Sequence, residues 1–122
     1  MLSEELQQFV RLSIRSVWAL EILLLLRRRQ ERAWSVDEIV LELRSSAAAV
    51  NGALEALEHA GLTVSGDDGT HRYRPAIPAL DALVAEIEAA YAKQPMTVIK
   101  TILSAPDAKI KSFADAFKLK KD

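Results

Sequence analysis

Apolar residues recur at helical spacing through most of this chain, and the first stretch is the densest. Leu6, Val10, Ile14, Val17 and Leu24 follow one another at steps of three, four and seven. Such steps place side chains on one helical stripe. From Trp18 onward Leu20, Ile22, Leu23, Leu25 and Leu26 widen the stripe until nearly every side is apolar. A helix of that kind is normally buried all round. Residues 1–33 therefore read as one long helix, or as two helices meeting at a bend. In a domain this small, a second copy of the chain is expected to cover part of that surface, giving a homodimer. Ser3 is a plausible N-cap, with Glu4 and Glu5 well placed in the first turn. Arg27, Arg28 and Arg29 close the run, where cations offset the helix dipole. That structural use is preferred to a dedicated phosphate site. Glu21 interrupts the apolar run two turns before Arg28. It reads as the exposed edge of the helix rather than as a buried acid paired across a dimer, because an unpaired buried carboxylate is costly.

The pattern then shortens. Ser35-Val36-Asp37-Glu38 is a capping box, and Trp34 and Ile39 sit where a hydrophobic staple would close the same helix end. A second helix can begin at Ser45 or Ser46. It carries Val50, Leu54 and Leu57 and stops at Gly61-Leu62. Leu62-Thr63-Val64, a Gly/Asp-rich turn over 65–70, and His71-Arg72-Tyr73-Arg74 read as strand, turn, strand. Helix, short turn, second helix and hairpin are, in that order, the parts of a winged helix-turn-helix.

Pro75-Ala76-Ile77-Pro78 makes a stiff connector. Leu80, Leu83, Val84, Ile87 and Tyr91 predict a further amphipathic helix, broken at Gln94-Pro95. Met96 to Leu103 is a short apolar segment, read as helical. Ser104-Ala105-Pro106-Asp107 restarts the chain, and Ile110, Phe113, Ala114 and Phe117 predict a last helix. The fold class expected is mainly α with a small β-hairpin wing. It is a single domain over 1–122, with helices before (1–33) and after (76–122) the 34–75 motif.

Composition narrows this picture. A chain of 122 residues supplies one core. Half its residues are hydrophobic but only 6% are aromatic, so Ala and Leu fill the interior. Without cysteine there is no disulfide or thiolate metal site. The longest apolar run, Val17 to Leu26, is too short to cross a bilayer and carries Glu21. The acidic start, Met1 to Glu5, lacks the basic beginning of a signal peptide, so a cytoplasmic location is expected. Catalysis finds little support. His59 and His71 fit no metal spacing, and no phosphate loop or nucleophile set can be picked out. No metal, cofactor or enzymatic activity is expected.

The chain resembles the winged-helix transcriptional regulators of bacteria, broadly the MarR, HxlR and PadR kind. The resemblance rests on three pieces: Trp18 to Leu26 as the first core helix, Ser35 to Leu43 as the helix before the turn, and Val50 to Leu62 as the recognition helix and its exit. It spans residues 17–75 and leaves the tail after Leu103 unassigned. It implies that the second helix enters a DNA major groove and that the wing lies along the sugar-phosphate backbone.

Charge complicates that implication. Between Ser35 and Ala60 five acids (Asp37, Glu38, Glu42, Glu55, Glu58) face one cation, Arg44. Phosphate neutralisation supplies most of the affinity of a nucleic-acid binder. Only the N-terminal turns of a recognition helix normally reach base edges. Those turns offer Ser45, Ser46, Ala47 and Asn51. Asn can pair with adenine, Ser can take either role, and Ala can touch a thymine methyl. Arg44, Arg72 and Arg74 are the candidate phosphate ligands. The wing arginines are as readily ordinary solvated charges, and Asp67 and Asp68 oppose the role at the turn. Residues 109–122 carry five Lys against two Asp around an apolar stripe, which reads first as a helix docking on the domain or on a partner.

Two functions follow. One is a dimeric DNA-binding regulator that uses Arg44, Ser45, Ser46, Ala47, Asn51, Arg72 and Arg74. The other is a winged-helix interaction module that regulates a partner protein, through the C-terminal helix, without touching DNA.

Overall fold

A serine divides the first apolar stretch. In the computed structural model, which describes residues 2–104, α1 spans Glu4–Ser13 and α2 spans Val17–Arg28. Ser3 caps α1, its hydroxyl accepting from the Leu6 N–H at 3.1 Å. Ser16 caps α2 in the same way, accepting from the Ala19 N–H at 3.0 Å. Each cap satisfies an N–H that has no partner inside its helix. Of the two readings for residues 1–33, the structure takes two helices.

The remaining elements are β1 (Trp34–Ser35), α3 (Val36–Leu43), α4 (Ala47–His59), β2 (Thr63–Ser65), β3 (Thr70–Tyr73), α5 (Pro78–Lys93) and α6 (Pro95–Ser104). The fold among the described residues is mainly helical with one small antiparallel sheet, strand order β1-β3-β2. The expected hairpin forms, with Thr63 opposite Tyr73 and Ser65 opposite His71. β1 is an addition to the expectation. Trp34 pairs with His71 and Ser35 with Thr70, so the cap of α3 also extends the sheet. A two-residue strand is too short to show an alternation that sequence reading could detect.

Local chemistry sets the element ends. Ser35 and Glu38 form both halves of the capping box: the Ser35 hydroxyl accepts from the Glu38 N–H at 3.1 Å, and the Glu38 carboxylate from the Ser35 N–H at 2.9 Å. At the far end of α4, Leu62 N–H bonds the Leu57 carbonyl and Gly61 N–H bonds that of Glu58. This is a Schellman closure, with Gly61 left-handed at φ +81°. A side chain at Gly61 would be strained and would also meet Ala76 at 3.4 Å. Pro78 and Pro95 stand in the first turns of α5 and α6, where a missing N–H costs nothing.

α2 is the centre of the core. Ala19, Leu20, Ile22, Leu23, Leu24 and Leu26 are all buried, with α4 its most extensive neighbour. Val50, Leu54 and Leu57 supply that neighbour's apolar stripe. One chain therefore covers the apolar sides of α2, and the reason for expecting a second copy there is lost. Trp18 departs from the expectation, standing 41% exposed.

Glu21 is not a free edge either. It is half-buried and accepts a hydrogen bond from the Tyr91 hydroxyl at 2.7 Å. Arg28 is not its partner; with Arg27 it grips Glu88 of α5, at 2.9 and 2.5 Å. Tyr73 of β3 donates to Asp81 of α5, and Arg27 lies 3.7 Å from the same carboxylate. Arg27 and Arg28 thus tie α2 to α5. No helix among the described residues is long and apolar enough to cross a membrane. The predicted last helix lies outside the described residues.

Candidate nucleic-acid interface

The turn between α3 and α4 is held by one residue in an uncommon conformation. Arg44 sits at φ 53°, ψ 47°, the left-handed region, and is the one non-glycine with positive φ among the described residues. Its N–H and that of Ser45 both reach back to the Val40 carbonyl. A side chain here costs of order 1 kcal/mol that glycine would not. The Arg44 side chain is exposed directly before α4.

α4 then begins at Ser46, whose hydroxyl accepts from the Ala49 N–H at 3.2 Å. Ala47, Ala48 and Asn51 are exposed, while Val50, Ala53, Leu54 and Leu57 pack inward. Four predicted contact residues, Arg44, Ser46, Ala47 and Asn51, therefore share an open surface along the first two turns. Ser45 does not join them. It is half-buried, and its hydroxyl oxygen is enclosed without a hydrogen-bond partner, so it is turned away from any base edge.

The hairpin arginines are less well placed than alternation suggested. Arg72 and Arg74 are exposed on either side of buried Tyr73, as expected. The Arg72 guanidinium, however, donates to the Glu31 carbonyl at 3.3 Å, across the β1 side of the sheet. Arg74 borders a shallow pocket with Glu58, Gly61 and Val64, at the C-terminal end of α4. Neither shares the first turn of α4.

A cation that sequence reading missed lines the same cleft as Asn51. A cleft of about 870 Å³ beside α4 is lined by Arg15, Asn51, Glu55, Glu58, His59 and His71, among others. Arg15 belongs to the α1–α2 turn and is exposed. Its arrival beside Asn51 depends on how α1 folds back, for which the local sequence carries no signal.

The acids divide into two groups. Glu38 pairs with Arg32 at 2.7 Å, and its carboxyl is held below the usual range first by the Ser35 N–H and then by Arg32. Asp37, Glu42, Glu55 and Glu58 form no ion pair among the described residues. At the β2–β3 turn Asp68 accepts from the Thr70 hydroxyl and N–H, which lower its pKa, and so acts as a turn-former. Among the described residues no group of His, Asp or Glu could hold a metal ion.

Comparison with protein-family models, curated proteins and solved structures finds no match. The functional argument therefore rests on these residues.

Proposed function

We propose that this chain is a winged-helix regulatory module that binds duplex DNA through the N-terminal half of α4. The order helix, strand, helix, helix, strand, strand from α2 to β3, with β1 and β2 flanking β3, supports the winged-helix reading. The observation that carries the binding reading is the open face of α4. Its first two turns expose Ala47, Ala48 and Asn51 behind the Arg44 guanidinium, while its other side is anchored on α2. A helix presented this way can lie in a groove, and its first N–H groups and dipole favour a phosphate. Arg44 stands directly before that end, Arg15 lines the cleft that Asn51 also lines, and Arg72 and Arg74 lie on and just after β3. The acids Glu55 and Glu58 follow Asn51 by one and two turns, a rise of about 6–10 Å.

Arg44 offers a clean test, because glycine preserves its backbone conformation. Arg44→Gly relieves the left-handed strain while loosening the unfolded chain, so stability should change by less than about 1 kcal/mol. Binding to duplex DNA fragments should weaken several-fold, and the salt dependence should lose roughly one phosphate contact. Unchanged binding in both Arg44→Gly and the Arg72→Ala/Arg74→Ala variant would overturn the DNA assignment.

A second reading is favoured by one observation. α3 and α4 carry exposed Asp37, Glu42, Glu55 and Glu58, none ion-paired among the described residues, and α3 exposes Leu41 at 79%. Exposed acids and a bare leucine suit a basic, apolar protein partner better than a polyanion. If the protein ignores DNA even at low salt, this is the surface to present to candidate partners.

A further inference from the structure

Gly52 stands in the middle of α4, where a glycine weakens the helix relative to alanine. Two reasons account for the glycine at position 61, and neither applies here. Gly52 is not among the glycines with positive φ, and a Cβ built on it would meet nothing within 4 Å among the described residues. The residue is exposed, on the side of α4 turned away from Val50 and Leu54. Neither conformation nor packing within the described chain makes use of the missing side chain. Glycine has a third use, which is to let another molecule come up close to the backbone.

The residues that line the same cleft indicate which molecule. Gly52 shares it with Asn51 and Arg15. Arg15 forms no ion pair among the described residues. Ala48, one turn before Gly52 on the same side, adds only a methyl group. A guanidinium without a counter-ion, an amide that can pair with a base and a length of bare backbone suit base edges bordered by a phosphodiester strand. Glu55 and Glu58 line the cleft as well. They follow Gly52 by about 4.5 and 9 Å of helix rise, so a strand is accepted at the Asn51–Gly52 end and repelled farther along.

We infer that a bound duplex makes its closest approach to α4 at Gly52, against the helix backbone itself. The inference rests on the DNA-binding reading of α4 and adds to it the place where the duplex sits.

Substitution at Gly52 separates fold from binding, because the two should move in opposite directions. Gly52→Ala should raise the folding equilibrium constant about two- to fivefold in urea unfolding. The same variant should bind mixed-sequence duplex DNA fragments several-fold more weakly than the wild type. Gly52→Leu keeps most of the gain in helix stability, since leucine is also a good helix former. Its larger side chain should meet the duplex and weaken binding roughly tenfold or more. Two stabilised variants that bind as the wild type does would overturn the inference and leave the DNA reading standing. Equal weakening by both would assign the effect to lost backbone freedom instead of a close approach, and would overturn it too. A wild type that binds no duplex even at low salt would remove the DNA reading itself, and the inference with it.

Discussion

The seam between α2 and α5 and the helix pair α3–α4 use charge in opposite ways. Along the seam, charged groups find partners far away in sequence. Arg27 and Arg28 share Glu88, Tyr91 bonds Glu21, and Tyr73 bonds Asp81 beside Arg27. Arg27 and Glu88 are only 22% and 25% exposed at their side chains, so each needs the other. In α3–α4 only Glu38 of five acids is paired among the described residues. The rest stand in water, where an unpaired carboxylate costs little. Partly buried polar pairs therefore fix where α5 sits, whereas the exposed charges of α3–α4 contribute almost nothing to the fold. They remain free to decide what the surface attracts or repels.

The largest expected contrast is apolar. Leu23 is fully buried in α2, and Leu41 is 79% exposed on α3. Leu23→Ala should cost about 2–5 kcal/mol in urea unfolding, since it leaves a cavity at the centre of the core. Leu41→Ala should stay within about 0.5 kcal/mol. Comparable losses would mean that the α3 face is part of a folded interface.

A smaller contrast sharpens the electrostatic point. Glu88→Gln removes the charge that holds two arginines and should destabilise by about 1–2 kcal/mol. Glu55→Gln removes an unpaired, exposed charge and should be near neutral for stability. If the DNA reading is right, the same change should strengthen duplex binding modestly. A Glu88 effect no larger than that of Glu55 would dissolve the distinction between seam and surface.

The two regions also differed in how well the sequence announced them. α3 and α4 were legible because local chemistry writes their ends: Ser35 with Glu38, Ser46, and Gly61 with its left-handed turn. The hairpin was legible from its Gly/Asp turn. The seam was not. Glu21 and Arg28 look like partners at helical spacing, yet both are claimed by residues of α5, some 60–70 positions away. Nothing local says that Tyr91 will reach Glu21. The candidate site shows the same limit. Arg44, Ser46, Ala47 and Asn51 were readable as neighbours on one segment, whereas the inward turn of Ser45, the tether of Arg72 to Glu31 and the approach of Arg15 all depend on tertiary packing.

The smallest effect belongs to the seam's tyrosines and is silent at neutral pH. Tyr73 and Tyr91 are the only two in the chain. Burial, then the hydrogen bond to Asp81, pushes the Tyr73 hydroxyl above its ordinary value of 10. For Tyr91 the bond to Glu21 comes first and burial second, in the same direction. A phenol whose folded pKa is raised keeps its proton in the fold after the unfolded chain has lost it. Above pH 10 the native state therefore binds more protons than the unfolded state, and stability falls as pH rises toward the folded values; below 10 it is fully present. Tyrosinate absorbance of the folded protein should lag that of the urea-unfolded chain through this window. Tyr73→Phe should flatten the alkaline loss of stability more than Tyr91→Phe does, because Tyr73 is the more deeply buried. Ionisation of both tyrosines at the ordinary value in the folded protein would mean that neither hydroxyl holds its carboxylate. The seam would then rest on Arg27, Arg28 and Glu88 alone.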